Sequence, residues 1–275
     1  MFSEVNCRLI KFAKGFIKPK WPRYRGSRAG CAVRERNSQR RCRIEVIQRR
    51  TLDQNFIVQR QKRRCNLANC VQINVESPAK RKGSPSAFLL SLYLSNVMSL
   101  APKIDEIRQF ASDGKMDLIC ITETWLKNHI HDNIIAIEGY NLIRRDRVGI
   151  DHGGICTYVK NNINFTVLED LQDQNYEVLW IKLRPTQLPR GFSFIVVGNV
   201  YHPPSANNQD LLQYLHSCLS SIESRFFNCG IMLVGDFNQL NTSRLRNNFS
   251  LKQIVKFPTR GLRTLDLVLT NLNTF

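Results

Sequence analysis

The amino-acid sequence predicts an α/β sandwich, and three observations carry that prediction. From residue 88 onward, short apolar runs of strand length follow one another closely. Only two segments of that part, 103–111 and 210–226, carry a helical period. So few helices cannot alternate strictly with the strands, which argues against a doubly wound sheet.

Residues 1–86 show no sustained period. Basic runs such as Lys62-Arg63-Arg64 and Lys80-Arg81-Lys82 break any apolar face, and the apolar pieces at 44–47 and 56–58 stand isolated. The Ser/Pro/Lys/Gly stretch at 77–86 reads as a linker. The domain boundary is therefore placed at 86, between a basic, mostly disordered arm (1–86) and a globular domain (87–275). In that domain, 88–97 reads as a first buried strand. A helix follows at 103–111, with Ile104, Ile107, Phe110 and Ala111 at helical spacing and Gly114 closing it. A second strand covers 117–125. Further strands are expected at 139–144, 155–159, 165–168, 178–183 and 192–201. The second helix, 210–226, carries a stripe of Leu211, Leu212, Leu215, Leu219 and Ile222. Strands at 231–234 and 265–269 complete the domain.

Charge divides the chain at the same place. Residues 1–90 hold 22 Lys+Arg against 5 Asp+Glu, and residues 91–275 hold 18 against 17. A basic arm on a nearly neutral domain implies a polyanionic partner, nucleic acid or an acidic surface; a solvated tail with no partner is the alternative. Nine cysteines, an odd number, read as free thiols in a reducing compartment. Cys65 and Cys70 could form half of a zinc site, but no second pair follows and the arm contains no histidine. The apolar stretch 88–101 is too short to span a bilayer, and the N-terminus lacks a clear signal-peptide core.

Several polar residues stand at or just beyond the ends of apolar strands: Asn96, Glu123, Asn199, Tyr201, then Asp236 and Asn238 in Gly235-Asp236-Phe237-Asn238. Asp236 and Asn238 are two apart, so on extended backbone both face one way. A carboxylate beside a carboxamide suits water activation and oxyanion stabilisation at a phosphate; a simple turn is the alternative. Asp266 lies inside an apolar run, where a carboxylate is unfavourable unless paired, hydrogen-bonded or metal-bound.

In order, these segments resemble the endonuclease/exonuclease/phosphatase superfamily, the DNase-like fold, and within it the endonuclease domain of a non-LTR (LINE-type) retrotransposon. The resemblance rests on Ser95-Asn96-Val97-Met98-Ser99-Leu100, Thr122-Glu123-Thr124-Trp125-Leu126, Arg144-Arg145-Asp146-Arg147 with Gly153-Gly154-Ile155, Val200-Tyr201-His202-Pro203-Pro204, Gly235-Asp236-Phe237-Asn238 and Thr264-Leu265-Asp266-Leu267. It covers about two thirds of the chain.

The resemblance implies a four-layer αββα sandwich of two packed, mostly antiparallel sheets, and a divalent-metal phosphodiesterase that nicks DNA. It implies Glu123 and Asn96 as holders of Mg2+, or of Mn2+ in its place. Asp236 would orient or deprotonate the attacking water, Asn238 would bond the phosphoryl oxygen, and Tyr201 would contact the phosphate. Asp266 and Thr259 would support the site, with Asn199 beside them. DNA is the implied partner, RNA a further one through the arm, in an intracellular and, for a retroelement enzyme, nuclear setting. The family's site is completed by a Ser-Asp-His segment on a final strand, which this sequence lacks; the expectation is a C-terminally incomplete domain with impaired chemistry. None of the five histidines lies in a matching segment. A non-catalytic nucleic-acid-binding remnant and a phosphatase of the same superfamily are the alternatives.

Overall fold

The computed structural model describes residues 43–48, 71–76, 88–112, 116–149, 151–185, 188 and 191–272. Two six-stranded sheets account for the strands among them, and the chain builds one sheet before it starts the other. Sheet A has the order β1 (Arg43–Gln48), β2 (Val71–Glu76), β3 (Phe88–Asn96), β4 (Leu118–Thr122), β6 (Ile155–Lys160), β5 (Tyr140–Arg145). Sheet B has the order β11 (Lys252–Gln253), β12 (Asp266–Thr270), β10 (Cys229–Asp236), β9 (Phe194–Tyr201), β8 (Glu177–Arg184), β7 (Asn164–Val167). Each sheet holds one parallel pair, β3 with β4 and β9 with β10, and all its other pairings are antiparallel. A parallel pair needs a crossover. Helix α1 (Ile104–Ser112) supplies the first and α3 (Asn208–Arg225) the second. Two short helices, α2 (Asp132–Ile135) and α4 (Ser243–Asn248), complete the α-helices among the described residues.

Three apolar layers follow from the period-2 alternation of the strands. Leu90, Leu92 and Leu94 of β3 meet Ile195 and Val197 of β9 and Met232 and Val234 of β10 between the sheets. The opposite faces are covered by helices. Ile104, Ile107 and Phe110 of α1 pack on Tyr93, Ile119 and Tyr158. Leu211, Leu215, Leu219 and Ile222 of α3 pack on Trp180, Val196 and Leu233. The expected four-layer sandwich is therefore the observed one. Helix α3 begins at a true cap, the Asn207 side chain accepting from the Gln209 amide at 2.9 Å. Cys120, Cys156, Cys218 and Cys229 are free and buried, and burial pushes each thiol up. Among the described residues no helix is long and apolar enough to cross a membrane.

Two differences from the sequence reading bear on the site. Strands β1 and β2 lie in the stretch read as a low-order arm, and β2 pairs with β3 from Val71 opposite Leu94. Val71, Ile73 and Val75 alternate with Gln72, Asn74 and Glu76, a strand signal hidden by the basic runs on either side. The rest of the arm, the linker at 77–86 and the stop at Gly114 lie outside the described residues. The second strand, expected at 117–125, ends at Thr122. Glu123 and Trp125 have φ of 56° and 54°, a left-handed conformation no strand tolerates.

Candidate active site

The polar residues are the continuation of the inter-sheet core. On β3 the inward series Leu90, Leu92, Leu94 ends in Asn96; on β9, Ile195 and Val197 lead through Asn199 to Tyr201; on β10, Met232 and Val234 lead to Asp236. The ladder aligns their ends. Asp236 is the register partner of Tyr201 on one side and of Asp266 on the other, and Tyr201 is in turn opposite Glu177. A transverse row, Glu177, Tyr201, Asp236, Asp266, thus crosses four adjacent strands of sheet B. Sheet A meets it at the C-terminal end of its own parallel pair. The Asn96 amide donates to Asp236 Oδ2 at 2.8 Å, and the Tyr201 hydroxyl donates to Glu123.

The approach of β9 to β10 at this point requires glycine. Gly235 has φ of 145°, and a Cβ there would lie 1.8 Å from the Val200 carbonyl oxygen. Asp236 and Asp266 are 1% and 3% exposed. Asp236 Oδ1 accepts from the Asn238 amide at 3.0 Å, and Arg260 lies 3.7 Å from Oδ2. Burial raises the Asp236 carboxyl, while Asn96, the Asn238 N–H and Arg260 oppose the rise. Burial and then the Asp236 charge push Asp266 up to about 7. The pair titrates as a unit, and Asp266 is the member better placed to keep a proton. Thr259 holds the strand beneath it, its hydroxyl accepting from the amides of Leu265 at 3.0 Å and Asp266 at 3.1 Å.

Glu123 is held from every side. The Trp125 indole and the Gly153 amide donate to Oε2, the latter at 3.1 Å, and Tyr201 to Oε1. His152 packs edge-on against Trp125 with centroids 4.4 Å apart. Behind Tyr201, Arg147 donates to Glu177 through Nε at 2.6 Å and through Nη2, with its guanidinium carbon 5.5 Å from the Tyr201 ring centroid. The Gly154 amide donates to the other Glu177 oxygen. Burial raises Glu177, and Gly154 and Arg147 oppose the rise. Burial also raises the Tyr201 phenol, helped by Glu123, so it stays a donor.

Of the residues read from the sequence, Asn96, Glu123, Tyr201, Asp236 and Asp266 meet at one rim, with Thr259 under Asp266. Asn238 joins them through its backbone, and its amide donates to the His202 carbonyl at 2.6 Å. Asn199 lies deeper: its amide reaches Cys156 O at 3.0 Å and Thr157 Oγ1 at 3.1 Å, tying sheet B to sheet A. His202 turns its ring away, Nε2 lying 2.6 Å from Asn208 Oδ1. Glu177 and Arg260 had no place in the sequence reading, and Arg147 entered it only inside a quoted motif. For Glu177 a signal existed, since it is two residues before Leu179 on the inward series of β8. The positions of Arg147 and Arg260 depend on loop paths that no periodicity encodes.

A hard divalent cation would take oxygen donors at this rim. Among the described residues no group of three or more His, Cys, Asp or Glu could hold a metal. Buried Asn96 Oδ1 has no hydrogen-bond partner among the described residues, while its amide nitrogen donates to Asp236. That oxygen and Glu123 form a hard-oxygen pair of the kind Mg2+ accepts when water and phosphate complete its shell. The residues fit.

The sequence matches the family profile described as Endonuclease/Exonuclease/phosphatase over residues 71–274, which takes in β2. No curated protein sequence matches the chain. Among solved structures, the AP endonuclease LMAP from Leishmania major is similar at 16% identity and a TM-score of 0.51, over 65% of this chain and 78% of that one. The endonuclease domain of TRAS1, a telomere-specific non-LTR retrotransposon, is similar at 13% identity and a TM-score of 0.45, over 65% and 83%. The 3′ phosphatase NExo (D146N) from Neisseria, bound to product DNA hairpin, is similar at 15% identity and a TM-score of 0.44, over 66% and 86%.

Proposed function

The chain belongs to the endonuclease/exonuclease/phosphatase family, a family of phosphodiester and phosphate-ester hydrolases, and from that premise we propose that it is a metal-dependent endonuclease that nicks DNA, of the kind borne by non-LTR retrotransposons. The observation that carries the reading is the row Glu177, Tyr201, Asp236, Asp266, capped from the other sheet by Asn96 at 2.8 Å. Two adjacent buried carboxylates with different neighbours divide the proton work between them. Asp236, with three donors or cations around it, is the ionised member; it orients the attacking water and takes its proton. Asp266, pushed up to about 7 by burial and the Asp236 charge, keeps a proton below that pH and so limits repulsion in the pair. The water oxygen bonds to phosphorus as one P–O ester bond breaks, and the leaving oxygen takes a proton from solvent, giving a hydroxyl end and a phosphate end. Tyr201 and the Asn238 amide, which donate to Glu123 and to the His202 carbonyl here, would turn to the phosphoryl oxygen as charge builds. Glu123 and Asn96 Oδ1 would hold Mg2+ or Mn2+, which would supply charge neutralisation at the phosphate and the leaving oxygen.

DNA is favoured as substrate by what surrounds the row. A tight hairpin closed by Arg260 and Arg263, whose amides and carbonyls bond each other at 3.0 Å, projects beside Asp236. Its tip, Leu262, is 95% exposed. Cations flanking an apolar tip suit a phosphate backbone and an opened base step. The arm adds sequence-independent affinity for DNA or RNA.

Supercoiled plasmid with Mg2+ tests the reading, using the chain alone and extended by a Ser-Asp-His segment. Nicking that the extension raises, and that Asp236→Asn lowers about 10²–10⁴-fold, is expected. An extended protein no better than its Glu123→Ala twin removes the assigned site. Activity on phosphoinositides with none on DNA replaces the substrate.

A further inference from the structure

The catalytic row takes up one end of sheet B; the other end carries a surface that the nuclease reading does not use. Along β8 the outward positions are Val178 and Trp180, under α3, then Lys182 and Arg184. Register sets Asn164 of β7 beside Arg184 and Thr166 beside Lys182. Helix α3 stops at Arg225, and Asn164, Thr166, Arg184 and Ser193 are exposed. Arg184 lies seven residues along β8 from Glu177, roughly 23 Å at about 3.3 Å per residue.

That face is a recess of about 570 Å³, lined in part by Asn164, Thr166, Lys182, Arg184, Ser193 and Phe194. Aromatic rings and cations interleave at its edge. The Lys182 ammonium lies 5.5 Å from the ring centroids of both Phe194 and Phe226, and those two rings meet edge to face. The Arg225 guanidinium lies 5.1 Å from the Phe226 ring and pairs with Asp170. Among the described residues neither Lys182 nor Arg184 has a carboxylate partner. Phe227, next along, is 86% exposed.

We propose that this outer face of sheet B is a binding surface for single-stranded nucleic acid, separate from the catalytic rim. Lys182 and Arg184 meet the phosphates, a base stacks on Phe227 or on a guanidinium plane, and Asn164, Thr166 and Ser193 offer hydrogen bonds to base edges or sugar. The recess has room for a nucleoside. Charge and shape select this occupant. A duplex would meet the cations but offer no free base to the rings. An acidic peptide would leave them without a flat partner. The chain's own residues 1–42, with 12 Lys+Arg against 2 Asp+Glu, are repelled by the same cations.

Photo-crosslinking of the full chain tests the proposal, because it locates contact by residue despite the basic arm. Oligonucleotides of about 12 residues carrying 5-iodouracil, one DNA and one RNA, are irradiated with the protein and the adducts mapped. Adducts at Phe194, Phe226 or Phe227 are expected in at least one arm, which also tells DNA from RNA. They should fall about tenfold in Lys182→Glu/Arg184→Glu and survive an excess of duplex competitor. Phe227→Ala, a change at an exposed ring, should lower them without altering the thermal unfolding midpoint. Adducts confined to residues 1–86 or to the catalytic rim overturn the proposal, as does a signal that either variant leaves unchanged or that duplex abolishes. Mg2+-dependent nicking by the variants should match the parent, so a failure here leaves the nuclease reading intact.

Discussion

Asp266 is where the site and the stability of the fold meet. Its folded carboxyl sits at about 7 against an ordinary value of 3.8, raised first by burial. A raised carboxyl stabilises the fold fully below its unfolded value, and that contribution is lost as pH climbs through the folded value. The metal-free protein should therefore lose stability between about pH 4 and pH 7 through this group. Asp266→Asn should flatten that slope and be the more stable form at pH 8, by on the order of a few kcal/mol; urea unfolding in EDTA at several pH values measures both. Arg147 and Glu177 behave differently, since each protects the other from burial alone. With side chains 18% and 12% exposed, removing one partner leaves an uncompensated charge. Arg147→Met should cost about 3 kcal/mol, and Glu177→Leu on that background should recover much of it. A double-mutant cycle by chemical denaturation reads the coupling.

Among the elements, the strands nearest the site were the easiest to read, because their inward positions run Leu, Leu, Leu or Met, Val before turning polar. The strands β1 and β2 were not, although 71–76 alternates cleanly, because it is a single short alternation set between the basic runs 62–64 and 80–82. This affects how the arm is removed. Deleting residues 1–42 takes away 12 Lys+Arg and keeps both strands. Deleting 1–86 also strips two strands from the edge of β3 and leaves its ladder groups unpaired. The shorter deletion should reduce the salt dependence of DNA binding with the melting temperature unchanged; the longer should lower both. The loop after β3 presents a related case. Buried Lys103, one residue before α1, donates to the carbonyls of Val97 and Met98, the latter at 2.7 Å. It holds Met98 and Ser99 at φ of 46° and 84°, immediately beyond Asn96. Lys103→Met should cost about 1–3 kcal/mol and weaken Mn2+ binding, followed by titration calorimetry.

For the molecule as a whole, the sequence carries half of the site's logic. It shows which strands end in polar residues, since that is local. It does not show that two sheets bring those ends together, because that depends on the direction of both parallel pairs and on the register across four strands. Asn199 illustrates the gap: two residues before Tyr201 and on the same face, it reads as a member of the pocket, yet it spans the sandwich to Cys156 and Thr157. Asn199→Ala should lower stability by about 1–3 kcal/mol and spare Mn2+ affinity.

The sheets are also consecutive in the chain, one finished at Lys160 and the other begun at Asn164. Cutting the polypeptide between those residues would leave Asn96 and Glu123 on one fragment and Tyr201, Asp236 and Asp266 on the other. Neither piece alone could assemble the pocket, so on the proposed nuclease reading hydrolysis would signal their reunion, which suits the protein to a split reporter.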